Sequence, residues 1–304
     1  MRAPSALVIG EALVDIVVPT RGDRREYPGG SPANVAMTLG RLDRPVELVT
    51  WLAEDARGRM VRDHFKESNV KIQDSSMRAR KTSTALATLD QTGAATYEFD
   101  LDWQVPEVEI EESVIITHAG SIAATLEPGG TDVVRLLEEA RDQATITYDP
   151  NARPTIMGDR DEAYERVKEI IKLSDVVKTS DEDIQWFSGS DDIELTANKW
   201  LEMGASLVVV TRGGDGSSAF IPGVRIDMPA ADVEVVDTVG AGDSFMGGLI
   251  DALWSENLLG ANNRYALRNI EQDTVVRILA RASSISAITV SRAGANPPWK
   301  KELI

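Results

Sequence analysis

The sequence predicts an α/β protein: a central, mostly parallel β-sheet with helices on both faces and a small second sheet beside it. Three features predict it. Short runs that are apolar throughout recur along the chain, as strands buried on both faces require. Longer segments with helical spacing lie between them, and strands alternating with helices make a parallel sheet. Two stretches, 13–27 and 82–100, break the alternation without an obvious helix.

In chain order, Ser5-Ala6-Leu7-Val8-Ile9-Gly10 is the first strand, ending at a glycine. In Gly29-Gly30-Ser31-Pro32-Ala33-Asn34, Ser31 suits an N-cap and Pro32 the first helical position. Val35, Leu39 and Leu42 give that helix an apolar stripe. Further strands are expected at 46–53, 114–117, 145–148, 175–177 and 207–211, and helices at 131–143, 161–173 and 194–203. The stretch 82–100 reads as a hairpin turning near Thr92-Gly93, with Tyr97 and Phe99 alternating on one face. Two helices, 243–255 and 273–289, and a polar tail with Pro297-Pro298 close the chain. With 304 residues and 42% hydrophobic content a large core is expected. The organisation expected is one domain, 1–304, with a lid from about 12–28 and 82–101 inserted in it.

The net charge of -17 argues against nucleic acid or an anionic membrane as partner. An anionic substrate would need a local cationic or backbone-donor site. The absence of cysteine excludes disulfides, thiolate zinc sites and cysteine nucleophiles. Residues 1–10 lack the features of a signal peptide, and no run approaches the roughly 18 apolar residues of a membrane span. A cytoplasmic location is the expectation.

Five motifs carry chemistry. In Asp237-Thr238-Val239-Gly240-Ala241-Gly242-Asp243, small residues precede an acid at a helix start. Backbone N–H groups there are unpaired and favour an anion. Asp243 beside such an anion hole is placed to take a proton from an attacking hydroxyl. In Gly29-Gly30-Ser31-Pro32-Ala33-Asn34, the glycines permit close ligand approach and Asn34 can hydrogen-bond a polyol. Asp15 lies just past the first strand, where open α/β sheets bind ligands. Asp149-Pro150-Asn151-Ala152-Arg153-Pro154 also follows a strand, and Arg153 offers a planar fork suited to phosphate. Thr211-Arg212-Gly213-Gly214-Asp215-Gly216 joins two strands and is either a hairpin turn or a tight approach to a nucleotide; it is no Walker A loop. Each also has a bland reading as an ordinary turn, cap or solvated acid.

Taken together and in this order, the motifs resemble the ribokinase-like (PfkB) carbohydrate kinase family along nearly the whole chain, most closely its bacterial fructokinase members. The resemblance implies a three-layer α/β/α fold with a β-sheet lid, and an ATP-dependent transfer of phosphate to a sugar hydroxyl. It implies Asp243 as catalytic base and Gly240, Ala241 and Gly242 as the anion hole. Asp15, Gly29, Gly30 and Asn34 would hold the sugar, with Arg153 on the same side. Lys178, Thr211, Gly213, Gly214 and Gly216 would line the nucleotide side, with Ala280 and Ser284 nearby. Magnesium would accompany ATP, a monovalent cation such as potassium would sit near Asp237, and lid sheets would pair in a homodimer. One departure stands out. The family's Asn-x-x-Glu motif is replaced by Ser180-Asp181-Glu182-Asp183, where Asp183 would take over metal handling. Fructose is the acceptor expected first, then 2-keto-3-deoxygluconate, whose carboxylate Arg78, Arg80 or Arg153 could meet, then ribose or a nucleoside. A non-catalytic binding protein would lack the acid at 243, and a Rossmann dehydrogenase would need a Gly-x-Gly-x-x-Gly that Gly10-Glu11-Ala12 does not supply.

Overall fold

The computed structural model describes residues 3–19, 22–89 and 95–303. The elements, in order, are β1 (Ser5–Ile9), β2 (Leu13–Val18), β3 (Arg25–Gly29), α1 (Ser31–Arg41), β4 (Val46–Val49), α2 (Ala56–Glu67), β5 (Val70–Ile72), β6 (Thr84–Leu89), β7 (Ala95–Asp100) and β8 (Val114–Gly120). After them come α3 (Gly129–Ala140), β9 (Thr145–Asp149), α4 (Pro154–Met157), α5 (Arg160–Leu173), β10 (Val176–Ser180), α6 (Asp181–Ser188), α7 (Ile193–Met203) and β11 (Leu207–Thr211). Last are β12 (Ser217–Ile221), β13 (Val224–Met228), α8 (Ala241–Ser255), α9 (Arg264–Arg268) and α10 (Gln272–Val290).

The main sheet runs β13-β12-β11-β10-β9-β8-β1-β4-β5. It is parallel from β11 to β5, and at the other edge β12 pairs antiparallel with both β11 and β13. Side chains alternate between its faces. Val8, Ile116, Val176 and Val209 pack beneath α1, α8 and α10. Leu7, Ile146, Val177 and Val208 pack beneath α3, α5, α6 and α7. Burial on both faces fits the apolar runs of β1 and β11, while β9 and β10 also bury Thr145, Thr147, Asp149, Lys178 and Thr179.

The two stretches that broke the alternation form a second sheet, ordered β3-β2-β6-β7. β2 pairs antiparallel with β3 and parallel with β6, and β6 pairs antiparallel with β7. The turn expected at Thr92-Gly93 and the side chain of Tyr97 lie outside the described residues. The strand expected over 46–53 ends at Val49, because Thr50 then gives its hydroxyl oxygen to the Ala12 N–H at 2.9 Å and the chain turns away. α1 also starts one residue earlier than expected. Gly30, at φ 111°, is its N-cap, and no side chain caps it. Ser31 is thus the first helical residue and its hydroxyl is free for another partner. Among the described residues no helix is long and apolar enough to cross a membrane.

Candidate active site

The carboxyl edge of the main sheet brings the ends of β1, β9, β10 and β11 to the starts of α1 and α8. Asp243 stands in the first turn of α8. The Ser31 hydroxyl donates to its Oδ1 at 2.7 Å, and Asn34 Nδ2 donates to its Oδ2 at 2.8 Å. Both donors sit on the first turn of α1, so one helix start orients the acid of another. Asn34 Oδ1 is buried and has no partner among the described residues, leaving an acceptor for a ligand hydroxyl.

α8 begins at Gly240, whose φ of 75° suits glycine. The N–H groups of Gly242 and Asp243 have no acceptor among the described residues, and no side chain caps the helix. An anion at this end would meet open donors and the positive end of the dipole. Gly242 also makes room for a cation: a Cβ there would lie 2.9 Å from Lys178 Nζ. Lys178, on β10, is buried and donates to Asp149 Oδ2 at 2.9 Å. Burial pulls its pKa down, but Asp149, Asp183 and Asp243 outweigh that and raise it, so it stays protonated. Asp149 is pushed up to about 6 by burial, against the pull of Lys178, and its Oδ1 has no partner among the described residues.

Towards the second sheet, Asp15 sits on β2, opposite Tyr27 of β3. Burial pushes its pKa up to about 6; Arg153 opposes that and Asp243 adds to it. Gly29 leaves the space its carboxylate fills, since a Cβ there would collide with Asp15 Oδ2. Gly30 packs against the Glu11 carbonyl in the same way. Arg153 is exposed and folds onto Asn151 Oδ1 and the Ala152 carbonyl, both at 2.8 Å.

Across the α8 start lies a groove of about 430 Å³, lined by Thr211, Gly213, Gly214 and Gly216, by Ala241 and Gly242, and by one stripe of α10. That stripe is Ser283, Ser286, Ala287 and Val290, and Ser286 donates to the Ala241 carbonyl at 3.0 Å. Ala280 and Ser284 line an adjoining groove of about 480 Å³ instead. The sequence pointed to α10 but to the neighbouring stripe; the spacing of 283, 286, 287 and 290 was the available signal.

Two residues singled out for metals are occupied otherwise. Asp183 closes a capping box on α6, accepting from Ser180 N–H at 3.0 Å through Oδ2, and its Oδ1 accepts from Ala152 N–H at 2.8 Å. Asp237 accepts from Val239 N–H at 3.0 Å and Gly294 N–H at 2.8 Å. Among the described residues no three acids or histidines converge as a metal cluster. Sequence reasoning passed over Glu11, a buried acid at the end of β1, and the tail. Ala295 packs against Gly240, where a Cβ would come within 2.6 Å of its own. Arg41 then holds the tail down through Asn296 Oδ1 at 2.6 Å and the Pro297 carbonyl at 2.7 Å, with Trp299 under its guanidinium.

A carboxylate fixed beside open helix-end donors, with a buried ammonium under them, is built to move a phosphoryl group onto a hydroxyl. The protein is of that class, a phosphotransferase with an alcohol acceptor. It belongs to the pfkB family of carbohydrate kinases, whose family model matches residues 3–302. It is 34% identical over 279 residues to a fructokinase of Rhizobium leguminosarum bv. trifolii, covering 86% of this chain and 85% of the relative. It is 30% identical to a fructokinase of Klebsiella pneumoniae, covering 97% of each. In fold it is similar to the crystal structure of a fructokinase with bound ATP from Xylella fastidiosa, with a TM-score of 0.84 at 24% identity over 98% of this chain and 97% of that one.

Proposed function

We propose that the protein is an ATP-dependent fructokinase in which Asp243 is the catalytic base. The observation that carries the reading is the placement of Asp243, held by Ser31 and Asn34 between the acceptor-side carboxylate Asp15 and the open amides of α8. Two relatives named fructokinases, at 34% and 30% identity, support fructose as the acceptor.

The sugar binds under the second sheet. Asp15 and Asn34 Oδ1 accept hydrogen bonds from its hydroxyls, Gly29 leaves the room in which the Asp15 carboxylate sits, and Gly30 lets the start of α1 lie close against the Glu11 carbonyl. ATP lies along the groove lined by Thr211, Gly213, Gly214 and Gly216, with the adjoining surface of Ala280 and Ser284 extending it. Closure of the second sheet as a lid excludes water that would otherwise hydrolyse ATP. Asp243 takes the hydroxyl proton while the sugar oxygen bonds to the γ-phosphorus and the bond to the β–γ bridging oxygen breaks. The amides of Gly242 and Asp243, with Lys178 beneath, stabilise the charge on the phosphoryl group.

Magnesium fits as a companion of the nucleotide phosphates and supplies further charge neutralisation there. The chain offers it little: Asp183 acts through its remaining lone pairs or through water, and Asp149 keeps one free carboxylate oxygen. Asp237 is placed likewise towards potassium. Tyr27, 48% exposed on the edge strand β3, supports pairing of lid sheets in a homodimer. As an ATP consumer the enzyme works in the cytoplasm. A second reading, 2-keto-3-deoxygluconate as acceptor, is favoured by the electrostatic reach of Arg153 to Asp15, because a substrate carboxylate would recruit it.

The test is ADP release with Mg-ATP across sugars, sugar acids and nucleosides. Turnover with fructose ahead of all others is expected. Preference for the sugar acid would replace the acceptor alone, and no turnover by folded protein would overturn the kinase mechanism.

A further inference from the structure

Glu11 is buried at the carboxyl end of β1, 6% exposed, and no cation pairs with it among the described residues. Burying a carboxylate without a counter-ion is costly. Burial pushes its pKa up to about 7 even though its donors oppose that. Besides its own backbone N–H, those donors come from two places. The Ser31 N–H reaches Oε1 at 3.4 Å, and the Ala123 N–H reaches Oε2 at 3.2 Å, with the Ser121 hydroxyl also bonded to it.

Each donor belongs to a backbone that needs holding. Ser31 opens α1, whose N-cap is a glycine without a side chain to cap it. Ser121 follows β8 at φ 57° and ψ −154°, a conformation that side chains other than glycine's rarely adopt. The first turn of α1 in turn carries the hydroxyl and the amide that fix both oxygens of Asp243. One buried carboxylate therefore ties the end of β1, the strained turn after β8 and the helix start that aims the base.

We propose that Glu11 is a positioning residue of this enzyme, holding the first turn of α1 so that Ser31 and Asn34 present Asp243 to the acceptor hydroxyl. The proposal rests on the reading of Asp243 as base. It assigns Glu11 no contact with sugar or nucleotide.

The experiment compares wild type with Glu11→Gln, which keeps the shape but puts an amide donor against backbone N–H groups that now face a carboxylate oxygen. Amide hydrogen exchange of residues 31–34 and 121–124 is followed first, without substrate. Faster exchange in both segments is expected, and unchanged protection at 31–34 would overturn the proposal. Because exchange needs no turnover, it decides the matter even if wild type phosphorylates no acceptor, a result that would count against the proposed function instead. Steady-state kinetics follow. The expected result is about a tenfold loss of kcat, with the KM for ATP within about twofold of wild type. In a Ser31→Ala/Asn34→Ala background the same substitution should cost little more, because its route to the base is already cut. Losses that simply multiply, or an effect on ATP binding alone, would show that Glu11 acts elsewhere. Glu11→Ala, should it fold, is expected to show the same pattern more strongly.

Discussion

Asp243 has both oxygens engaged by α1, so its geometry is set before any sugar arrives. Asp243→Ala is expected to lower kcat at least about 100-fold, in the range of general-base catalysis, with circular dichroism unchanged. A variant retaining a tenth of the wild-type rate would remove the residue from that role. Asp15 gives a pH test. Its pKa is raised to about 6, so it gains a proton as pH falls through 6 and loses the charge that the proposed role in holding sugar hydroxyls needs. The KM for the acceptor should rise below pH 6, and Asp15→Asn should show a high KM that no longer follows pH. Glu11 gives a stability test. Its folded pKa, about 7, lies above the ordinary 4.5, so the stability due to its neutral form is full below pH 4.5 and lost as pH rises through 7. His118, held below its usual value by burial, works in the opposite sense, but it is common to both proteins. The difference between Glu11→Gln and wild type should therefore move in the variant's favour from pH 5 to pH 8, by an amount of order 1–3 kcal/mol, measured by urea titration. Asp15, Asn34 and Asp243 could be singled out in the sequence because the first follows β1 closely and the other two stand in the first turn of a helix. Their neighbours could not: the Ser31 hydroxyl finds its partner 212 positions away, and Glu11 reaches across 20 and 112.

At the scale of elements, strands were legible where both faces are buried. The apolar runs of β1 and β11 announce themselves, β8, β9 and β10 mix polar side chains into theirs, and β13, half exposed at the edge, carries a pattern that says little. α2 was missed although Asp55 caps it and Val61 and Phe65 give it an apolar stripe, because the stripe is narrow and the rest is charged. The second sheet joins the main body through the chain around Gly10 and Gly29, and it carries Asp15. If it closes over the sugar, exchange of β2, β3, β6 and the described part of β7 should slow when acceptor binds, with α3 and α5 unaffected. Equal protection with and without acceptor would leave the sheet a fixed wall.

At the scale of the molecule, a net charge of -17 works against compaction. The arginines offset part of it in local pairs, as where Arg44 and Arg281 share the buried Asp251 at 2.7 and 2.9 Å. Raising ionic strength with choline chloride, which supplies neither magnesium nor potassium, should raise the melting temperature by about 2–4 °C, a gain of order 1 kcal/mol. The tail has a consequence in time. The loop before α8 is buttressed by Gly294 and Ala295, and these are pinned through Arg41 by residues 296–299. A ribosome emits Asp15 and Asn34 well before these buttresses. During synthesis the sheet and most helices can therefore assemble around Asp15 and Asn34 before the loop ahead of α8 gains the segment that props it.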